Sequence, residues 1–238
     1  FGGAICNPIT EAARLIGLIH DKNGNVQIPN FYKGVAETQD WELKQWKELE
    51  VAEGELKDIC QVKALWPQSS QFTPLERMWI RPTAEINGFG GGYQGEGSKT
   101  IIPSEANFKV SFRLVPGQDA NEILSNFKSF LEENVSSGVD LKVELGHQGK
   151  AYYMDPFSKF GKAAQNALEK TFGKGTALIR EGGSVPIVQD FKDVLDVDTL
   201  LLGLALPDCR MHSPNENFLL ENYYYGIEMS QNLIEELA

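Results

Sequence analysis

Residues Ala106–Leu114 read ANFKVSFRL, a strict alternation of apolar and polar side chains. A period of two residues is typical of a β-strand with one buried and one solvent-facing side. Thr83–Phe89 predicts a second strand, joined to the first by a loop with six glycines between positions 88 and 97. This strand pair is the centre from which the rest of the fold is predicted.

One helix is predicted before the strand pair in the sequence and another after it. Asn7-Pro8 starts one of them, since Asn caps a helix and Pro is tolerated at the first helical position. Asp119 and Glu122 form a capping box at the start of another. A third alternating segment, Asp140–Leu145, predicts one more strand. The order helix, strand, strand, helix, strand is that of a ferredoxin-like (split βαβ) α+β fold, which one further strand before Phe1 would complete.

The remaining segments are interpreted more coarsely. Residues 25–75 read as an insertion with a helix over 39–53. Beyond Met154-Asp155-Pro156 the composition shifts. Short apolar runs at Thr176–Ile179 and Thr199–Leu204, set between helical patterns, predict strands of a sheet covered on both faces. This second part reads as an αβαβα fragment of a larger layered α/β domain, with further strands expected elsewhere.

Charge and cysteine content exclude several classes of partner and setting. The 238 residues carry a net charge of −11, which argues against nucleic acid or an anionic membrane as the main partner. Three dispersed cysteines predict reduced thiols and a cytoplasmic protein. We expect no membrane span and no signal peptide. The apolar, glycine-rich opening at Phe1 predicts that the chain is a piece of something longer.

Two glycine motifs resemble nucleotide-binding loops but lack their context. Gly90-x-Gly92-x-x-Gly95 matches the dinucleotide pattern, yet a strand follows it where a helix is required. Gly97-Ser98-Lys99-Thr100 resembles a P-loop, but Ser98 separates the glycine from the lysine. A connection between two strands, with Thr100 presented near its end, is the favoured interpretation.

Three further features carry candidate chemistry, each beside a structural alternative. Arg113 is either a solvated strand residue or a bidentate clamp for a carboxylate. Arg180–Pro186 follows an apolar strand, where α/β sheets bind ligands, or is an ordinary turn that Ser184 caps. Ser184 is not in a Gly-x-Ser-x-Gly nucleophile elbow, because Pro186 stands at the position of the second glycine. His212 also follows a strand and is either a metal ligand or, as a lone histidine usually is, an ordinary structural residue. Without an HExxH motif or a second nearby ligand, this chain cannot assemble a metal site by itself.

Together these segments resemble the di-zinc metallopeptidase family of carnosinase-type dipeptidases, aminoacylases and succinyl-diaminopimelate desuccinylase, the dipeptidase branch most of all. They occur in the family's order and spacing across the whole chain. The matching segments are Phe1-Gly2-Gly3-Ala4 with Asn7-Pro8, Gly95–Pro103, Ser111–Pro116, Arg180–Pro186 and Met211–Glu216.

The resemblance implies a division of the chain and a role for each candidate residue. Residues 1–153 would be the lid or dimerisation domain of a homodimer, and 154–238 the C-terminal part of the catalytic domain. His212 would be the last zinc ligand in a site that holds two Zn²⁺ ions, with Mn²⁺ or Co²⁺ as alternatives.

The substrate would be a short peptide or an N-acyl amino acid. Arg113 would bind its C-terminal carboxylate, and Thr100 of the glycine-rich loop would also contact it. Glu181 and Ser184 would line the pocket, with Glu181 as the candidate for binding the substrate's amine.

The resemblance also implies what these 238 residues lack. The other zinc ligands, the bridging aspartate and the general-base glutamate would lie upstream of Phe1, so no catalytic residue is assigned here. We expect the chain alone to be inactive and the missing N-terminal half of the catalytic domain to be its partner. Three alternatives stay open: an aminoacylase-like amidohydrolase, a non-catalytic dimerisation module, and a serine hydrolase that uses Ser184 and His212.

Overall fold

The structure is a computed structural model that describes residues 1–49, 53–67, 70–182 and 185–238. Within these ranges, the regular elements in chain order are four helices, two strands and four further helices. A 3₁₀ turn over Pro207–Cys209 precedes the last helix. The elements are α1 (Pro8–Ile19), α2 (Asp40–Glu48), α3 (Glu53–Cys60), α4 (Pro74–Trp79), β1 (Thr83–Gly91), β2 (Ala106–Arg113), α5 (Ala120–Asn134), α6 (Lys159–Phe172), α7 (Pro186–Leu195) and α8 (Leu220–Leu237).

The two predicted central strands are confirmed as an antiparallel pair. Thr83 lies opposite Arg113 and Gly91 opposite Ala106, with an irregularity in the register after Ile86. The glycine-rich stretch connects them as predicted, since β1 ends at Gly91 and no helix follows before β2. In β2 one face presents apolar side chains and the other presents Asn, Lys, Ser and Arg.

The chain divides into two compact units. The first contains residues 1–37, 66–151 and 181–186, and the second contains 38–65, 152–180 and 187–238. Residues 38–65, which belong to the predicted insertion, therefore group with the C-terminal residues. The domain boundaries inferred from the resemblance stay a prediction.

Helices α1 and α5 cover the apolar face of the strand pair in the first unit. Asn7 caps α1 by accepting the Ile9 N–H at 3.0 Å, and Asp119 caps α5. The Asn7 cap and the Asp119 half of the predicted capping box agree with the sequence, whereas the Glu122 carboxylate lies 2.7 Å from the Lys33 ammonium. The helices and strands share one core, whose buried members are Leu15, Ile19, Val26, Ile28, Phe31, Ala84, Ile123, Phe127, Phe130 and Leu131.

Helix α6 packs against α8 in the second unit. The α6 residues that face inward are small and buried: Ala163, Ala164 and Ala167. Small side chains let two helices approach closely. Buried Asn232 of α8 donates a hydrogen bond to Thr171 Oγ1 at 2.8 Å. Gly173, in left-handed conformation, ends α6 as predicted.

Three predicted strands are wrong as secondary structure: Asp140–Leu145, Thr176–Ile179 and Thr199–Leu204 are not assigned to strands. A strand requires a hydrogen-bonded neighbour, and among the described residues the only sheet is β1 with β2. The apolar face predicted for 140–145 is confirmed in part, because Leu141 and Val143 pack on the core. The split βαβ arrangement and the larger α/β domain around the second part stay predictions. No helix in the described ranges has the length and apolar character needed to cross a bilayer.

Candidate functional site

Arg113 is the last residue of β2, and its side chain is exposed on the polar face of the strand pair. The turn that follows is fixed to the loop before α2. Gln118 accepts the Val115 N–H at 3.0 Å and donates to the Phe31 carbonyl at 2.6 Å. These two hydrogen bonds of the Gln118 amide hold the end of the strand, so the backbone at Arg113 is fixed.

A close approach of two glycines reinforces this turn. Gly34 and Gly117 both have positive φ, 81° and 95°. A Cβ on either residue would overlap the carbonyl oxygen of the other, so the two backbones touch where no side chain fits. The Lys33 ammonium lies 2.7 Å from the Glu122 carboxylate beside them. The turn after Arg113 is therefore specified by backbone geometry as well as by hydrogen bonds.

Thr100 lies exposed in the loop between β1 and β2. The loop is organised by Tyr93, whose hydroxyl donates to the Glu96 carbonyl at 2.9 Å. The Lys99 ammonium lies 5.9 Å from the centre of the Tyr93 ring, within cation–π range. These contacts lie within the loop that carries Thr100, the residue that the resemblance assigns to substrate.

Glu181 follows a segment that helix α2 holds by its side chains. It is exposed, and it is preceded by Arg180, whose Nε donates to Glu42 Oε1 at 2.6 Å. Gly182 comes next, where a Cβ would lie 2.7 Å from the Met78 carbonyl oxygen, so a larger residue would clash. Ser184 lies outside the described residues.

His212 lies exposed in a tight turn between the 3₁₀ segment and α8. The turn is closed by the Asn217 N–H, which donates to the Cys209 carbonyl at 2.9 Å. Arg210, His212 and Asn215 have φ of 56°, 61° and 63°, three of the six positive values at non-glycine residues in the described ranges. Such conformations are uncommon outside glycine and cluster at functional sites. The backbone here is consistent with a functional turn.

The four described candidates occupy separate elements. Thr100, Arg113 and Glu181 belong to the first unit, in a loop, at a strand end and in the segment after Arg180, whereas His212 belongs to the second. Within the described ranges, no group of three His, Cys, Asp or Glu side chains could hold a metal ion. These residues by themselves therefore do not fit a zinc site, which takes three or four protein ligands.

The helix predicted over 39–53 is present as α2 (Asp40–Glu48), but sequence reasoning missed its contact with the segment before Glu181. Glu42, Gln45 and Trp46 all contact residues 178–180. The capping pattern Gln39-x-x-Glu42 signals that a helix starts there, and the structure shows both of its hydrogen bonds. Nothing in the local pattern signals a contact with residues more than 130 positions away.

Comparison with known proteins places this geometry in a family. Residues 1–139 match the peptidase dimerisation domain of M20 peptidases. The chain is 29% identical over 231 residues to the Cys-Gly metallodipeptidase DUG1 of Saccharomyces cerevisiae, covering 96% of this chain and 48% of that protein. It is 26% identical to the Beta-Ala-His dipeptidase of Homo sapiens, covering 100% of this chain and 47% of that protein.

A solved structure agrees with this assignment. The M20 family metallo-carboxypeptidase Sso-CP2 from Sulfolobus solfataricus superposes with a TM-score of 0.83 at 27% identity, covering 97% of this chain and 52% of the other. The chain spans about half the length of the curated relatives it matches. With a peptidase dimerisation domain over more than half its residues, the chain belongs to the M20 peptidase family.

Proposed function

We propose that this chain is part of a metal-dependent dipeptidase that hydrolyses short peptides with a free carboxyl terminus. The observation that carries the proposal is the alignment of nearly the whole chain with two dipeptidases. Because the chain spans about half of each relative, the activity is assigned to a complete enzyme rather than to these 238 residues alone.

Arg113 is proposed to bind the carboxylate at the substrate's C-terminus. A guanidinium donates two parallel N–H bonds to a carboxylate, and this geometry fixes direction as well as charge. Exposure at the end of β2 leaves the side chain accessible, and the turn at Gly117 and Gln118 holds its backbone. A fixed clamp for the terminal carboxylate restricts substrates to short peptides.

Glu181 is proposed to bind the substrate's amine through its carboxylate, with Thr100 and Ser184 as further substrate contacts. Glu181 and Thr100 are exposed, as a binding role requires. Opposite charges at the two ends of a binding site match a dipeptide, which carries an ammonium at one end and a carboxylate at the other.

His212 is proposed as one ligand of two zinc ions, with Mn²⁺ or Co²⁺ as alternatives. The described residues offer no group of three ligands, so the remaining ligands and the general base are assigned to polypeptide outside these 238 residues. We therefore expect the chain alone to be inactive.

The lid is proposed to form a homodimer, and the enzyme to be cytoplasmic. Within the described residues, β1 and β2 pair with each other alone, so each has an edge on which another strand can add. The three cysteines are free thiols, as in reducing compartments.

The test measures hydrolysis of dipeptides and of matched N-acetyl amino acids by the complete enzyme, with zinc and after chelation. Turnover of dipeptides that chelation abolishes supports the proposal. Preference for N-acetyl amino acids would instead assign an aminoacylase, whose substrates also offer Arg113 a carboxylate. Zinc-supplied chain 1–238 should give no turnover, and clear turnover would refute the assignment of the missing groups.

The match to a dimerisation domain favours one second candidate, a module that assembles without catalysis. It predicts a stable dimer in analytical ultracentrifugation and no effect of zinc or of His212→Ala. A fluorophosphonate that inactivates the enzyme would point instead to Ser184 as a nucleophile.

A further inference from the structure

Helix α2 carries a buried carboxylate that reaches out of its own helix. Glu42 is 1% exposed. Its Oε1 accepts the Arg180 Nε–H at 2.6 Å, and its Oε2 accepts the Gln39 N–H at 2.9 Å. A carboxylate this buried needs partners for both oxygens, because an unpaired buried charge is strongly destabilising. Glu42 is therefore held in one orientation, with Arg180 attached to it.

The same face of α2 also binds the backbone two residues before Arg180. Gln45 Oε1 accepts the Leu178 N–H at 2.8 Å, and the Trp46 indole donates to the Leu178 carbonyl at 3.0 Å. Positions three and four residues after Glu42 lie on its side of the helix. Both polar groups of Leu178, which a strand would pair with a neighbour, are instead satisfied by side chains. Helix α2 thus fixes the path of residues 178–180.

Arg180 is held on a second side by an aromatic ring. Its guanidinium carbon lies 4.6 Å from the centre of the Tyr153 ring, a cation–π contact. The side chain is 24% exposed, so it is largely enclosed between this ring and Glu42. A guanidinium held by a carboxylate and a ring has little rotamer freedom, and its backbone is fixed with it.

We propose that Glu42 is a positioning residue that sets the direction in which Glu181, the next residue after Arg180, is presented to substrate. The inference rests on the proposed role of Glu181 in binding the substrate's amine. Glu42 contacts no substrate and acts through Arg180. Residues 38–65, which contain Glu42 and group with the second unit, supply the support for residues 178–180.

The first test reads the position of the segment without any activity. Hydrogen–deuterium exchange of peptides spanning 176–182 is measured for Glu42→Gln and for Glu48→Gln, an exposed glutamate of the same helix. We expect exchange about tenfold faster in Glu42→Gln, because a hydrogen bond to a charged group is lost, and exchange as in wild type in Glu48→Gln.

A second variant covers the case in which Glu42→Gln loses its far-UV circular dichroism. Arg180→Lys keeps the charge but has no Nε donor and stacks less well on Tyr153. It should also speed exchange over 176–182. Unchanged exchange in a folded Glu42→Gln or in Arg180→Lys would overturn the proposal.

The second test separates positioning from general damage in the complete enzyme. Kinetics are compared for a dipeptide and for the N-acyl amino acid that differs from it by lacking the amino group. Glu42→Gln should raise KM about tenfold for the dipeptide and leave KM for the analogue unchanged. Glu181→Gln should do the same, and the double variant should add little to either, since both act on one interaction.

The outcomes distinguish this inference from the proposed function. A wild-type enzyme that hydrolyses no dipeptide refutes the proposed function, whereas the exchange experiment still decides whether α2 positions residues 178–180. An active enzyme in which Glu42→Gln raises KM equally for both substrates refutes positioning and leaves the dipeptidase assignment intact.

Discussion

Glu11→Gln is expected to remove a pH-dependent part of the stability of the first unit. The Glu11 side chain is 5% exposed, and it accepts hydrogen bonds from Arg14 Nε at 3.0 Å and from Arg14 Nη2 at 2.6 Å. The Ser136 N–H and hydroxyl also donate to it, at 2.8 and 2.9 Å. The carboxylate thereby joins the start of α1 to the residues just after α5.

The size of the effect follows from the pKa of Glu11. The Arg14 hydrogen bonds lower this pKa from 4.5 to about 2; burial opposes the shift, and the Ser136 bonds assist it. At 1.36 kcal/mol per pH unit the difference corresponds to roughly 3 kcal/mol. Arg14 is 43% exposed, so water screens the pair. We therefore expect Glu11→Gln to lower the free energy of unfolding by about 2 kcal/mol near neutral pH.

The sign of the pH dependence is fixed by the direction of the shift. A carboxyl group whose pKa is lower in the folded state stabilises fully above its unfolded value, 4.5. The contribution is lost as pH falls through the folded value, about 2. Wild type and Glu11→Gln should thus differ most near neutral pH and converge only below about pH 2, where Glu11 itself becomes protonated in the folded protein.

The assay is urea unfolding at several pH values, read by hydrogen exchange of peptides from α1 and α5 so that the first unit is reported by itself. Glu122→Gln is the matched control, because Glu122 is 41% exposed and pairs with Lys33 at the surface. It should cost below about 1 kcal/mol. A Glu11→Gln effect that is equally small, or that does not change with pH, would refute the reasoning.

Three further predictions concern the site and its support. In the complete enzyme, Arg113→Ala should raise KM for dipeptides by about 10- to 100-fold, because a charged hydrogen-bonded contact is lost. A KM within twofold of wild type in steady-state kinetics would refute the role of Arg113 as a carboxylate clamp. Gly117→Ala should destabilise the first unit by about 2 kcal/mol or more in thermal unfolding, since its φ is +95° and a Cβ would meet the Gly34 carbonyl. Gly54→Ala in α3, where a Cβ meets nothing within 4 Å, is the control and should be neutral or stabilising. Chelation by EDTA should leave the Tm of the 238-residue chain unchanged, because the described residues hold no three-ligand group; a drop of several degrees would reveal a structural metal.

Local signals in the sequence predicted the elements that local interactions determine. Asn7 before Pro8 starts α1, Gly173 ends α6, and the alternation over 106–114 forms β2, because each depends on residues within a few positions. The strands predicted at 176–179 and 199–204 are wrong because strand formation depends on a neighbour that the local pattern does not contain.

The candidate residues came from the resemblance more than from the pattern. Arg113 and His212 each had an ordinary structural alternative on the sequence alone. The structure adds the backbone evidence, a turn braced by two touching glycines after Arg113 and a run of positive φ values around His212. Neither feature can be read from residue types, since many sequences with Gly or Asn adopt other turns.

The two unpaired apolar segments of the second unit show how a backbone without a sheet partner is satisfied. At Leu178 the N–H and C=O bond to Gln45 and Trp46, and at Thr199 the N–H donates to the Tyr152 hydroxyl at 2.7 Å. Side chains that occupy one edge of a segment exclude a strand from that edge. Any strand that joins residues 176–179 in the complete enzyme is therefore expected on the edge opposite α2. Glu181 would then follow a segment held on one side by α2 and on the other by added polypeptide, so the substrate contact proposed for it would depend on assembly of the whole catalytic domain.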